Sequence, residues 1–274
     1  MRTTDGTRRY LEFLALRDGE PDFGRHTLSR REAFFDSLAR HPVRSRVPID
    51  RETYLRNLTR RRPEAGLDDR MLWLLATAKA NQAERFGVGL AELYGRVRED
   101  SEPVRVHLQL QETYHTRILS DVVALFGLPV HARPPAILAR TLINWIVSVP
   151  EDWHRPLTGC AEMAGCLIFG ALRDRGLALF AHERAVAERI RLLYDEILAD
   201  EISHVGFIAS QLGPRGRRLM RVLYRLLGVR LARQLPELVA LLGRSELARC
   251  FGAPFRLDDM AARYPRLAFA AATI

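Results

Sequence analysis

Two short segments of the chain contain a glutamate and a histidine at the same spacing. The first is QETYH, residues 111–115, and the second is DEISH, residues 200–204. Residues three positions apart on an α-helix lie on one face, so both side chains of each pair can reach the same ligand. Two such helices facing each other would offer a metal two carboxylates and two imidazoles, those of Glu112, His115, Glu201 and His204.

Both pairs lie in stripes of mostly apolar side chains. The stripes continue through Leu108, Leu119 and Val122 for the first pair, and through Tyr194, Ile197 and Ile208 for the second. A buried carboxylate costs free energy unless it is paired or bound to a metal ion. The pattern therefore favours a metal site, with the alternative that each pair lies at the edge between core and solvent.

The remaining histidines give no comparable signal. A third Glu-x-x-His, Glu151 to His154, lies between Pro150 and Pro156, where proline predicts a loop, so we interpret it as a chance match. The histidines without a glutamate at this spacing are interpreted as ordinary loop or helix residues; they are His26, His41, His107, His131 and His182.

Two further glutamates complete a set of six candidate ligands. Glu162 is the single glutamate of a predicted helix at 157–175, and small and apolar residues surround it. The helix that precedes the first pair offers two candidates. Glu84 has uncharged neighbours on its side of the helix, whereas Glu92 shares its side with arginines. The pattern favours Glu84 and leaves Glu92 as the alternative.

The elements that must position these side chains are helices. Apolar residues recur with a helical period along most of the chain, and runs of alternating strand residues are not found. Long helices are predicted at 68–98, 104–126, 157–175 and 181–212, the first two as an antiparallel hairpin. Other helices are predicted at 30–39, 50–62 with Asp50 as its cap, 136–149, from Pro214 onwards and at 237–251, between a polar leader and a loose tail. We therefore predict one all-α domain, residues 1–274, with a metal-binding core at 68–212.

The composition is that of an ordinary globular protein, with 47% hydrophobic and 27% charged residues among 274. No apolar run reaches about eighteen residues, so a membrane span is not expected. The N-terminus lacks the pattern of a secretory signal, and the three cysteines fit neither a disulfide framework nor a zinc knuckle. We expect a cytoplasmic protein.

The chain is strongly basic, with a formal net charge of +9. Arginines are concentrated in segment 217–234, which reads as an amphipathic helix with a basic outer face. Its apolar positions are Leu219, Val222, Leu223, Leu226, Leu227 and Leu231. A solvated face is favoured over a surface for nucleic acid or another acidic partner.

One glutamate from each of two helices, with Glu-x-x-His from each of two others, resembles the metal centre of the ferritin-like di-iron carboxylate superfamily. The resemblance covers about residues 68–212 and implies a four-helix bundle with additional N- and C-terminal helices. It implies two iron ions, or a manganese–iron pair, held by Glu84, Glu112, His115, Glu162, Glu201 and His204, with no catalytic residue beyond these ligands. Asp200 matches the family's frequent Asp-Glu-x-x-His form, which implies that it orients a metal-bound histidine.

Differences from single branches of the superfamily narrow the implied function. Where radical-generating subunits of ribonucleotide reductase carry a tyrosine, this chain has Leu119, and Tyr194 is interpreted as a packed tyrosine with a satisfied hydroxyl. The chain is most similar in character to oxygenases such as the p-aminobenzoate N-oxygenases, although Ile197 stands where these carry a further histidine. We therefore expect a di-iron oxygenase that hydroxylates or N-oxygenates a small molecule of specialised metabolism.

This interpretation implies O2, an organic substrate and an external electron donor, either a ferredoxin or a reductase, and it is compatible with a homodimer. Small residues near the ligands provide room for oxygen or substrate, or else permit close helix packing; they are Gly87, Ala91, Gly165 and Cys166, with Phe86 and Phe169 as walls. The alternatives are a ferroxidase of the iron-handling ferritin type and a hydroxylase that acts on tRNA.

Overall fold

The computed structural model describes residues 5–22, 24–98, 103–130, 151–233, 235–264 and 269. Within these ranges the chain is predominantly helical, which confirms the predicted all-α class. The helices are α1 (Asp5–Asp18), α2 (Ser29–Arg40), α3 (Arg51–Leu58), α4 (Asp69–Arg98), α5 (Pro103–Ala124), α6 (Glu151–Leu179), α7 (Arg184–Gln211), α8 (Pro214–Ala232), α9 (Pro236–Leu242), α10 (Arg244–Gly252) and α11 (Leu257–Arg263). Two short strands, β1 (Pro21–Asp22) and β2 (Thr27–Leu28), pair antiparallel. The helix predicted at 136–149 lies outside the described residues.

The four long helices, α4 to α7, pack in a closed ring. Helix α4 contacts α5, α5 contacts α7, α7 contacts α6, and α6 contacts α4. Trp73 near the start of α4 contacts Phe126 just after the end of α5, and Glu84 further along α4 contacts His115 within α5. These two helices therefore form the predicted antiparallel hairpin. The same reversal relates α6 to α7 and α5 to α7. Helices α5 and α6 therefore run parallel across one diagonal of the ring.

The helices are held together by a core of large side chains and by local caps. Asp50 caps α3 as predicted, because its carboxylate accepts hydrogen bonds from two backbone N–H groups of the first turn. Trp73 is fully buried, and its Nε1 donates to the carbonyl oxygen of Leu172 at 2.6 Å. A Cβ at position 176 would lie 2.5 Å from this indole. Gly176 therefore makes room for Trp73 inside α6, which continues to Leu179 beyond the predicted end at residue 175.

Three segments expected to be irregular are helical. The polar leader contains α1, which packs on α5 and α7. The segment from Glu151 to His154 forms the start of α6 and is not a loop. Pro156 removes one backbone hydrogen bond near the start of this 29-residue helix, and the helix continues through it. The tail contains α11, and Phe269 packs edge-on against Tyr10 of α1.

The C-terminal helices differ from prediction in two details. Gly243, at φ +80°, divides the helix predicted at 237–251 into α9 and α10. Helix α8 packs on α6 with Met220 and Tyr224 buried, but Val222 and Leu226 are 44% and 64% exposed. These two side chains belong to the arginine-rich outer face, so the apolar face of α8 is narrower than its sequence indicates.

The apolar character of the helices and the state of the cysteines bear on two expectations from the sequence, those on membrane spans and on disulfides. Among the described helices, none combines the length and apolar character needed to cross a lipid bilayer. Cys160, Cys166 and Cys250 are free thiols, the first two buried. The cysteines thus form no disulfide, as expected.

Candidate metal centre

The six predicted ligands converge inside the ring of long helices. Their donor atoms form two groups: one contains Glu84, Glu112, His115 and Glu201, and the other contains Glu112, Glu162, Glu201 and His204. Within each group the donor atoms lie within 4.8 Å of one another, so each group could hold a metal ion. Glu112 and Glu201 belong to both groups.

Glu112 lies between the two histidines. Its Oε2 is 3.6 Å from Nδ1 of His115, and its Oε1 is 3.4 Å from Nδ1 of His204. The two imidazole centroids are 6.1 Å apart. His115 Nδ1 is also 3.4 Å from an oxygen of Glu84 and of Glu201, and His204 Nδ1 is 3.2 Å from Glu162. Nδ1 is therefore the atom that each histidine presents to the carboxylates.

The cluster is closed on one side and partly open on the other. His115, His204 and Glu201 are buried, at 0%, 2% and 3% exposure. The side chains of Glu84, Glu112 and Glu162 keep 15–17% exposure. Glu84 is thus the first-helix carboxylate that reaches the cluster, while the side chain of the alternative, Glu92, lies outside the described residues.

The carboxylates repel one another when no cation lies between them. Burial, together with Glu112, raises the pKa of Glu84 to about 8. Burial and the three neighbouring carboxylates raise the pKa of Glu201 well above its usual range. For Glu112, His115 and His204 outweigh burial and lower the pKa to about 2. Negative charge is therefore disfavoured on Glu84 and Glu201, and a cation bound between the carboxylates would offset their repulsion, so the donor set fits a metal ion.

Comparison of the chain with protein-family models, with curated proteins and with solved structures gave no match. The chemistry of the six side chains themselves indicates which metal ions would suit them. Carboxylate oxygens and imidazole nitrogens are hard to borderline donors, the kind that suits iron and manganese. Among the described residues, neither group includes a cysteine.

Two glycines lie directly against the candidate ligands. A Cβ at Gly165 would come within 2.5 Å of Oε2 of Glu201, whereas one at Gly87 would lie 3.9 Å from Oε2 of Glu112. Gly165 therefore makes room for a ligand carboxylate and does not border open space. Two surface pockets in the described part of the chain are lined by residues 60–62 and by residues between 177 and 191, away from the six side chains. The side chains of Phe86 and Ala91 lie outside the described residues.

Asp200 lies directly behind His115. Its Oδ2 is 3.1 Å from Nε2 of His115, the ring nitrogen that faces away from the glutamates. Arg31 donates to both oxygens of Asp200, at 2.5 and 2.7 Å, and Arg17 lies 2.6 Å away. These guanidinium groups outweigh burial and hold the pKa of Asp200 far below its usual range. Asp200 is therefore an ionised acceptor with the contact expected of a residue that orients His115.

A buried polar cluster behind the histidines was missed by sequence reasoning. It comprises Arg17, Asp18, Arg31, His107, Gln111 and Glu196. Asp18, on α1, accepts from Nε of Arg31 at 2.8 Å and from Nε2 of Gln111 at 2.7 Å, and lies 3.0 Å from Nε2 of His107. His107 is thus a helix histidine, as interpreted from the sequence, but it is buried and paired with Asp18. One signal was available, because Gln111 precedes Glu112 as Asp200 precedes Glu201.

The interpretation of Tyr194 is confirmed. Its ring is fully buried, and its hydroxyl lies 2.9 Å from Oγ1 of Thr77. Burial raises the pKa of this phenol above its usual value. Tyr194 is a packed, hydrogen-bonded tyrosine.

Proposed function

We propose that this chain is a ferritin-like di-iron oxygenase that uses O2 to hydroxylate or N-oxygenate a small organic molecule. The observation that carries the proposal is the position of Glu112, whose two oxygens face Nδ1 of two different histidines. Glu201 is also shared, so the two overlapping donor groups could hold two cations, with Glu112 and Glu201 common to both. Two consecutive helices of a bundle can run parallel only if a long crossover joins them, and ferritin-like bundles contain one such crossover. The parallel arrangement of α5 and α6 therefore supports the proposed fold.

The donors divide between the two positions. Glu84 and His115 would complete one position, Glu162 and His204 the other, with Glu112 and Glu201 between them. A ferrous pair, or a manganese–iron pair, would supply the electrons that reduce O2 so that an organic substrate is oxidised. An electron donor is required to return the site to its reduced state after each cycle.

The protein contributes binding, orientation and exclusion of water. Asp200 accepts the proton on Nε2 of His115 and thereby leaves Nδ1 as the nitrogen that would bind a cation among the carboxylates. His115, His204 and Glu201 are buried and form the side of the site from which water is excluded. O2 and substrate would approach from the opposite side, where Glu84 and Glu162 are partly exposed.

The proposal is tested by loading the purified protein anaerobically with Fe(II) and then admitting O2. We expect about two irons per chain and Fe(II)-dependent O2 consumption. Both should be lost in Glu112→Ala, which removes a donor shared by the two groups, and both should be retained in Glu188→Ala, which alters an exposed glutamate on α7. His204→Ala, which alters one group only, should keep about one iron per chain and lose O2 consumption. Absence of bound iron under all loading conditions would contradict the proposal.

The two alternatives give different results in the same assay. A ferroxidase would consume O2 only in proportion to the Fe(II) added, whereas an oxygenase supplied with a reductant should couple O2 uptake to oxidation of a substrate such as an arylamine. A tRNA hydroxylase is favoured by one observation, the exposed arginines on α8, among them Arg218 and Arg221. For that function, Arg218→Gln with Arg221→Gln should abolish tRNA binding without reducing iron content.

A further inference from the structure

Gln111 and Asp200 occupy the same position in the two motifs, directly before Glu112 and Glu201. Each of these two residues contacts the histidine of the other motif. Asp200 Oδ2 lies 3.1 Å from Nε2 of His115, and Gln111 Oε1 lies 2.9 Å from Nε2 of His204. The two motifs therefore orient each other's histidine, one through a carboxylate and the other through an amide.

The orientation of the Gln111 amide follows from its neighbours. Nε2 of Gln111 lies 2.7 Å from Oδ2 of Asp18 and 3.1 Å from Oδ1 of Asp200. Ionised carboxylates only accept hydrogen bonds, so the NH2 end of the amide must face them and the oxygen must face His204. Since an amide oxygen only accepts, Nε2 of His204 carries a proton and donates it, which leaves Nδ1, beside Glu112 and Glu162, as the nitrogen that can bind a cation.

Removal of this amide oxygen would leave His204 with acceptors on one side only. The nearest described acceptors would be Glu162 Oε2 at 3.2 Å and Glu112 Oε1 at 3.4 Å, both beside Nδ1. The proton would then lie on Nδ1, where it would block the lone pair. Gln111 is fully buried, so bulk water does not replace its oxygen.

We propose that Gln111, oriented by Asp18 of α1, is the positioning residue that fixes the tautomer of His204. Asp18 is itself held by Nε of Arg31 at 2.8 Å, so two N-terminal helices take part in orienting a ligand on α7. The consequence for metal binding rests on the proposed function, whereas the position of the proton on His204 does not. Loss of this contact is expected to weaken binding at the position completed by His204 about 10- to 100-fold.

The test uses protein with 15N-labelled histidine, loaded with zinc, and long-range 15N–1H NMR to identify the protonated nitrogen of His204. In the wild type we expect a proton on Nε2 and zinc on Nδ1. Gln111→Met should remove this signature and weaken one of two zinc-binding steps measured by calorimetry. Gln111→Glu should keep the tautomer, since an oxygen still faces His204, although a carboxylate facing Asp18 and Asp200 should lower the free energy of unfolding. Gln109→Met, on the same helix, should change neither measurement.

Several results would overturn the inference. The inference is contradicted if wild-type His204 is protonated on Nδ1 or binds zinc through Nε2. It is also contradicted if the tautomer of His204 is unchanged in Gln111→Met. Should Gln111→Met fail to fold, the wild-type and Gln111→Glu spectra still decide. Should the wild type bind neither zinc nor iron, the proposed function fails, and the tautomer of His204 in metal-free protein, recorded above the pKa of this histidine, still tests the role of Gln111.

Discussion

Asp200 on α7 accepts a hydrogen bond from Nε2 of His115 on α5 at 3.1 Å, across 85 positions of sequence. The same carboxylate is paired with Arg17 of α1 and Arg31 of α2. One buried side chain thus connects a candidate metal ligand with the two N-terminal helices. The orientation of His115 and the docking of the N-terminal segment consequently depend on the same charges.

Loss of Arg31 is expected to destabilise the protein severely. Its guanidinium is buried and contacts Asp18, Glu196 and Asp200 at 2.5–2.8 Å. Arg31→Leu removes this guanidinium and leaves buried carboxylate charge uncompensated, so we expect the free energy of unfolding to fall by about 3–5 kcal/mol. Urea denaturation measures this change. Arg25→Leu, which breaks an exposed pair, should cost less than about 1 kcal/mol, and equal effects would contradict the prediction.

Substitution of a glutamate that belongs to both donor groups should reduce the bound iron more than substitution of a glutamate that belongs to one group. Glu112 belongs to both donor groups, whereas Glu162 belongs to one. Glu112→Ala should therefore reduce iron content to near zero, while Glu162→Ala should leave about one iron per chain. Iron is quantified after anaerobic loading and desalting. Equal iron content in the two variants would show that the two groups do not bind separate ions.

A methyl group at position 165 should disturb the metal centre, and one at position 87 should not. In Gly165→Ala the Cβ would lie 2.5 Å from Oε2 of Glu201 and displace this carboxylate. We expect zinc or iron affinity to fall about 10-fold or more, with about 1–3 kcal/mol lost from the free energy of unfolding. Gly87→Ala places its Cβ at an ordinary contact distance, 3.9 Å from Glu112, and should gain up to about 1 kcal/mol in helix propensity.

Metal titration of the two glycine variants by calorimetry, with thermal unfolding of the metal-free proteins, separates affinity from stability. A Gly165→Ala protein with wild-type affinity would mean that Glu201 can bind metal from another position.

Glu183 should make the stability of the protein depend on pH in the acid range. Its carboxylate accepts from Oγ of Ser45 at 2.5 Å and from the backbone N–H of Arg46 at 2.8 Å. The hydrogen bond from Ser45, aided by that from Arg46, holds the pKa of Glu183 below its ordinary value of 4.5. This contribution to stability is fully present above pH 4.5 and is lost as the pH falls through the lowered pKa.

The isosteric change Glu183→Gln removes this titration. The free energy of unfolding of the variant should therefore fall less steeply than that of the wild type between about pH 5 and pH 3. Glu52→Gln, at a side chain that is 91% exposed, is the matched control and should follow the wild-type curve. Coincident curves for Glu183→Gln and the wild type would contradict the prediction.

The sequence by itself determined the helical class and brought six distant side chains into one hypothesis. Helical period and the Glu-x-x-His spacing are local properties, because residues three and four positions apart on a helix always share a face. Glu84 and Glu162 could be added since an isolated carboxylate among uncharged neighbours is costly when buried. The structure then places all six donors within two overlapping groups.

The tertiary structure alone decided which groups support those donors. Arg17, Asp18 and Arg31 lie in segments with no distinctive pattern, yet they supply the charges behind His115 and His204. A buried ion pair forms where segments that are distant in sequence pack together and exclude water. Helical periodicity depends only on residues close in sequence, so it could not predict these pairs. Helix α6 likewise extends beyond its predicted bounds, residues 157–175. Local propensity disfavours Pro156 and Gly176 inside a helix, but Pro156 lies near the start of α6, and Gly176 supplies the space needed by Trp73.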